Sequence, residues 1–176
     1  MRALGPGSVS SFLKVILDVF YYVLWVAGVL FAVVILALLL VSFNPQLLPA
    51  PVYAQITSLG HSSAPGAAAL LTGYELYLIG VIIIVQRLRK IFATMTAGDP
   101  FHPDNVRRLR MIGLVLALLE IDRYLASGFE RFVLHMKPHP GESDSLTAWF
   151  AVLVIFVLAE VFREGARLRR DAELTI

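Results

Sequence analysis

Glu75, Glu120 and Arg123 are among the charged side chains that fall inside otherwise apolar runs. A charge in hydrocarbon costs on the order of 2.5–3.5 kcal/mol on insertion scales, so each asks for a partner or a role. At about 100° per residue, Gly113, Ala117, Glu120, Arg123, Tyr124 and Ser127 share one helical face. Thr72, Glu75 and Gln86 share another. The economical arrangement turns these faces together, with Arg123 bridging Glu75 and Glu120. Gly113 and Ala117 would let the backbones approach closely there. One guanidinium against two carboxylates leaves a negative charge over. Such a cluster is either a salt bridge that locks helix register or an ion- or proton-binding site on a transport path.

Other reactive groups are sparse. The chain has no cysteine, which excludes disulfides, thiolate metal sites and a thiol nucleophile. His135 and His139 have the four-residue spacing of helical metal ligands, but Pro138 between them and Pro140 after them put the pair in a loop. His61 and His102 stand alone. No Ser-His-Asp spacing, phosphate loop or dinucleotide fingerprint is present, so the sequence reads as a non-enzyme without cofactor or metal.

The elements that carry these residues follow from composition. The 176 residues are 58% hydrophobic and 16% charged, with a mean hydropathy of +0.76. A soluble domain runs near 45–50% apolar and about 25% charged, and a disordered chain is poorer still in apolar residues. A net charge of +2 is too small for nucleic-acid binding by bulk electrostatics. The solvent of this chain is therefore a lipid bilayer.

Crossing about 30 Å of hydrocarbon takes roughly 20 apolar residues in a helix. Four runs qualify as spans: 19–43, 67–86, 111–127 and 146–162. Continuous apolar runs of this length are helical rather than the short alternating strands of a barrel. Val19–Phe43 far exceeds the roughly 7–15 residues of a signal-peptide core, so the first span reads as retained rather than cleaved after Val52-Tyr53-Ala54. Arg2 and Lys14 precede span one. The 87–110 loop carries Arg87, Arg89, Lys90, Arg107, Arg108 and Arg110, and the 163–176 tail carries Arg163, Arg167, Arg169 and Arg170. The 44–66 loop has no charged residue. The positive-inside rule then places the 87–110 loop and both termini in the cytoplasm. The expected fold is an all-α, four-transmembrane-helix bundle in a single 1–176 domain.

Two cytoplasmic stretches are more patterned than membrane anchoring requires. In the first, Gly98-Asp99-Pro100-Phe101-His102 reads as a turn. Pro103 suits a first helical position, and Asp104 sets negative charge on the helix dipole ahead of Asn105 and Arg107. In the second, Glu160 with Arg163 and Arg163 with Arg167 lie one turn apart, so span four continues as helix into the cytosol. Leu168, Leu174 and Ile176 add apolar anchors beside Glu173 that a solvated tail would not need. They suit either folding back on the bundle or docking a partner.

At Gly98-Asp99-Pro100-Phe101, Asn105–Gly113, Phe162-Arg163-Glu164-Gly165-Ala166-Arg167-Leu168 and Glu173-Leu174-Thr175-Ile176, the sequence resembles the bacterial membrane family known as domain of unknown function 2975. Family tails read more acidic and amide-bearing where Arg170 and Ala172 stand here. The resemblance implies four inner-membrane helices, no catalytic residues, and genes that neighbour a small helix-turn-helix regulator. It points to such a regulator as a cytosolic partner for Asp99, Pro100, Phe101, Asn105, Arg107, Arg163, Glu164, Gly165, Leu168, Glu173, Leu174 and Ile176. The expectation is thus a regulatory, non-enzymatic inner-membrane protein. The alternative is a small transporter or ion-conducting protein using Glu75, Glu120 and Arg123.

Overall fold

The computed structural model describes residues 9–44, 64–132 and 145–174, with positions 46, 49, 51 and 54 between the first two stretches. Within the helices, the side chains at 9–11, 64, 65, 67, 130, 145 and 173 are not described. His61, His135, His139, Thr175 and Ile176 lie outside the described residues, as do Val52, Tyr53 and the Glu173 side chain.

Four long helices are formed: α1 Val9–Phe43, α2 Ala64–Thr96, α3 Pro103–Phe132 and α4 Ser145–Glu173. Among the described residues there is no strand. Three helices are long and apolar enough to cross a membrane, over Phe12–Phe43, Ala68–Thr96 and Leu146–Ala172. α3 falls short on apolarity, because three arginines open it and Glu120, Asp122 and Arg123 interrupt its middle. On α1 the large apolar side chains face outward: Trp25 is 50% exposed, Leu30 61% and Leu36 59%. A helix apolar around its whole circumference and uncovered by its own chain requires hydrocarbon or another protein against it.

The expected 87–110 loop is mostly helix. α2 runs on through Arg87, Arg89 and Lys90 because 86–96 holds good helix formers and no glycine or proline. Only 97–102 connects α2 to α3. Gly98, at φ 85°, ends α2 in the left-handed conformation that glycine adopts without strain. Its N–H donates to the Met95 carbonyl and the Asp99 N–H to the Thr94 carbonyl, the paired bonds of a Schellman motif. α3 then starts at Pro103 as expected, and the Asp104 N–H donates to His102 Nδ1 at 3.2 Å, capping the first turn.

The chain divides into two compact units. The first comprises Met1–Val23, Gly80–Glu120 and Ser143–Ile176. Its core is Ile91, Leu109, Ile112 and Ala159, packed by Leu88, Met95, Leu116, Ile155 and Phe162. Small residues set the helix spacing. Phe156 packs on Gly113, where an added Cβ would lie 3.0 Å from the ring. Gly113 therefore seats the Phe156 ring of α4, not the polar face of span two that its spacing suggested. In this unit, Arg89 of α2 donates to Asp18 of α1 and stacks 4.3 Å from the Tyr21 ring centroid. The second unit comprises Leu24–Ile79 and Ile121–Glu142. Val41 and Ala68 are buried within it, and Gly73 lies against Ala126.

Candidate functional site

The first unit brings the two patterned stretches together. Along α4, Phe162, Gly165, Ala166 and Arg169 recur at the spacing of one helical stripe, and that stripe receives the 97–102 turn. The Phe101 ring lies on the Gly165 backbone so closely that a Cβ there would sit 2.6 Å from its Cε1. Phe101 also meets Phe162 with centroids 5.7 Å apart and planes tilted by 50°. One turn further, Arg169 Nη1 donates to Asp99 Oδ1 at 2.5 Å. Both charged groups are more than a third exposed, so this pair sets register rather than supplying much stability.

Asn105 holds the turn from below and is fully buried. Its Nδ2 donates to Thr94 Oγ1 at 2.8 Å and to the Pro100 carbonyl at 3.0 Å. Its Oδ1 accepts from Arg108 Nη1 at 2.8 Å. Both donors of the amide are thus used, which is the condition for burying it at little cost. Arg108 donates in turn to the Lys90 carbonyl and pairs with Asp104. The result is a clasp in which α2, the turn, α3 and α4 are tied within a few residues of one another.

A family model for a protein of unknown function, DUF2975, matches residues 48–176, a stretch that contains every clasp residue. The chain belongs to that family. No curated protein and no solved structure matches it. The DUF2975 match leaves the whole of α1 outside and covers α2, α3 and α4 entirely.

Of the residues that the sequence marked, Asp99, Pro100, Phe101, Asn105 and Gly165 build this DUF2975 clasp. The other marked residues that are described lie outside it. Glu164 pairs with Arg167 at 2.8 Å, and Arg163 pairs with Glu160. Arg107 is exposed, as are Leu168 at 58% and Leu174 at 86%. Sequence reading missed Phe162, Ala166 and Arg169 as a stripe, although their period was readable. It also missed Thr94 and Arg108, whose role depends on where the turn folds.

The intramembrane charges behave differently. Glu120, in the first unit, is 5% exposed. In the second unit, Glu75 Oε2 is shut from solvent with no hydrogen-bond partner, so the expected guanidinium contact is not made at that oxygen. Arg123 lies 5.4 Å from the Tyr124 ring centroid. It lines, with Asp122, Thr72, Tyr74 and Tyr77, a mainly apolar cavity of about 810 Å³ between α2 and α3. Asp122 and the two tyrosines were not marked by sequence reading. Among the described residues, no group of three or more His, Cys, Asp or Glu could hold a metal.

Proposed function

We propose that this DUF2975 protein is a four-span integral protein of the bacterial inner membrane with both termini in the cytoplasm. It acts as a regulator without catalysing a reaction, by presenting a preassembled loop-and-tail surface to a cytosolic protein. The observation that carries this reading is the clasp, since Phe101 on Gly165 and Asp99 on Arg169 make one surface of two distant segments. Outside the clasp, Leu168 and Leu174 remain exposed beside Arg163, Arg167 and Arg170, an apolar centre with a charged rim. The partner class is a small helix-turn-helix regulator, held at the membrane.

Support for the topology comes from the first unit. It contains the start of α1, the end of α2, the start of α3 and the end of α4, with Asp18–Arg89, Arg110–Glu160 and Asp99–Arg169 as ion pairs. Alternate ends gathered in this way belong to a chain threaded up and down an even number of times. The arginines at that end make it the cytoplasmic one. The absence of cysteine gives a clean test: Arg131→Cys and Leu174→Cys are labelled from opposite sides of intact cells by an impermeant maleimide. Labelling of both from the same side ends the reading. For the partner, purified regulator is titrated against the full chain in detergent micelles. Leu168→Glu is expected to weaken binding at least tenfold, and equal binding to a chain truncated after Phe162 refutes it.

The second reading, a small transporter, is favoured by one observation, the unpartnered Oε2 of Glu75. A buried carboxylate that no side chain satisfies suits an ion or proton. Flux through reconstituted vesicles that Glu75→Gln abolishes would establish it.

A further inference from the structure

A second groove, of about 430 Å³, lies in the first unit between α3 and α4, lined by Pro103, Val106, Arg107, Arg110, Met111, Leu114 and Phe156. Its composition is graded along its length. Arg107 and Arg110 stand at the end where α3 begins, while Met111, Leu114 and Phe156 form the remainder. From Pro103 to Leu114 the helix rises about 16 Å at about 1.5 Å per residue. Most of that rise lies at headgroup level with Arg107 and Arg110, and the part beyond Arg110 enters the hydrocarbon of one leaflet.

The charge at the mouth is uncompensated. Arg107 has no acidic partner among the described residues. Arg110 reaches Glu160 at 3.7 Å, but Glu160 is shared with Arg163, so two guanidinium groups share one carboxylate. Leu114, 49% exposed, and Phe156, 43% exposed, offer an apolar wall that no other part of the described chain covers.

We infer that this groove binds one anionic phospholipid of the cytoplasmic leaflet, its phosphate between Arg107 and Arg110 and one acyl chain along Leu114 and Phe156. The inference rests on the membrane reading above and adds a specific ligand to it. Charge and apolar length are both required. A free phosphate would leave the wall uncovered, and a zwitterionic headgroup would bring a cation against the arginines.

The test uses the full chain in detergent micelles, with native mass spectrometry counting retained lipid against added dioleoyl phosphatidylglycerol, dioleoyl phosphatidylcholine or inorganic phosphate. Phosphatidylglycerol is expected to be retained in preference to phosphatidylcholine. Arg107→Gln lowers that retention about fivefold, and Arg107→Gln with Arg110→Gln about thirtyfold. Arg170→Gln removes the same charge away from the groove and is expected to leave retention unchanged. Leu114→Asn, which keeps both arginines, also lowers it. Equal retention of the two lipids, displacement by millimolar phosphate, an unaffected double variant, or an equal loss in Arg170→Gln overturns the inference. Flotation with phosphatidylglycerol vesicles separates the two levels: a chain that floats but fails to discriminate refutes the groove, whereas a chain that does not float refutes the membrane reading beneath it.

Discussion

Gly165→Ala tests the clasp with a single methyl group. The new Cβ would stand 2.6 Å from Phe101 Cε1 and 2.7 Å from Cδ1, well inside van der Waals contact. The ring must therefore move or the turn must lift. Overpacking of this kind costs about 1–3 kcal/mol. Replacing a helical glycine by alanine returns about 1 kcal/mol through backbone entropy. The net expectation is a loss of about 0–2 kcal/mol in the purified protein, together with faster amide exchange confined to 97–102. Thermal unfolding in detergent reads the first, and hydrogen-exchange mass spectrometry the second. Phe101→Leu removes the clashing ring edge, so the double variant should recover part of the loss, a coupling of about 1 kcal/mol. A Gly165→Ala protein that gains the full propensity benefit, with exchange at 97–102 unchanged, would show that Phe101 does not rest on α4. The argument for a joint loop-and-tail surface would fail with it.

Asn105→Leu takes the donor from the Pro100 carbonyl, while the Thr94 hydroxyl keeps its bond to the Ile91 carbonyl, for an expected loss of about 1–3 kcal/mol read by thermal unfolding. Asp18→Asn and Arg89→Lys should couple by about 1 kcal/mol in a double-mutant cycle, since the guanidinium meets both Asp18 and the Tyr21 face; additive losses would refute that contact. Glu75→Gln is expected to leave membrane abundance unchanged or raised, because the charge it removes has an unpartnered oxygen; a fall in abundance would mean that the carboxylate is paired.

How much was legible depended on whether a feature was periodic or positional. Four helices, the Asn44-Pro45 end of α1 and the Pro103 start of α3 were all written locally, in apolar run length and in residues with restricted backbones. The end of α2 was less visible, since Arg87, Arg89 and Lys90 are good helix formers that hydropathy alone assigns to a loop, whereas one-turn charge spacing carried α4 on into the tail. Asp99, Phe101, Asn105 and Gly165 were marked for a partner, and the contacts they make within the chain could not be read. A patterned cytosolic segment looks the same whether it meets another protein or its own chain. Only the stripe Phe162, Gly165, Ala166 and Arg169 distinguished the two, at the spacing of a helix face that must be covered. Glu75 shows the opposite limit. Helical phase placed it on the same face as Thr72 and Gln86, but phase says nothing of whether Arg123 reaches it.

The same reasoning explains why three helices satisfy a length-and-apolarity measure while the fold has four. Glu120, Asp122 and Arg123 each cost about 2.5–3.5 kcal/mol at the centre of a lone helix, and each leucine, isoleucine or valine returns only about 0.3–0.6 kcal/mol. α3 by itself is thus a poor membrane segment. It becomes a tolerable one only when its charges are enclosed and its small residues are matched, and the first unit does this for Glu120 and the glycines. Glu120 is 5% exposed, Leu119 fills the notch at Gly80, and Phe156 fills the notch at Gly113. α1 is the reverse case, apolar throughout and scarcely covered by its own chain. It would hold its place in hydrocarbon unaided, with Asp18 and Arg89 fixing its start against α2. The polar helix is therefore the one whose place is specified by neighbours, and it is also the helix that contributes Asn105, Arg107 and Arg110. Features that make α3 costly in lipid are those that tie the clasp and the lipid groove to a single arrangement of the chain.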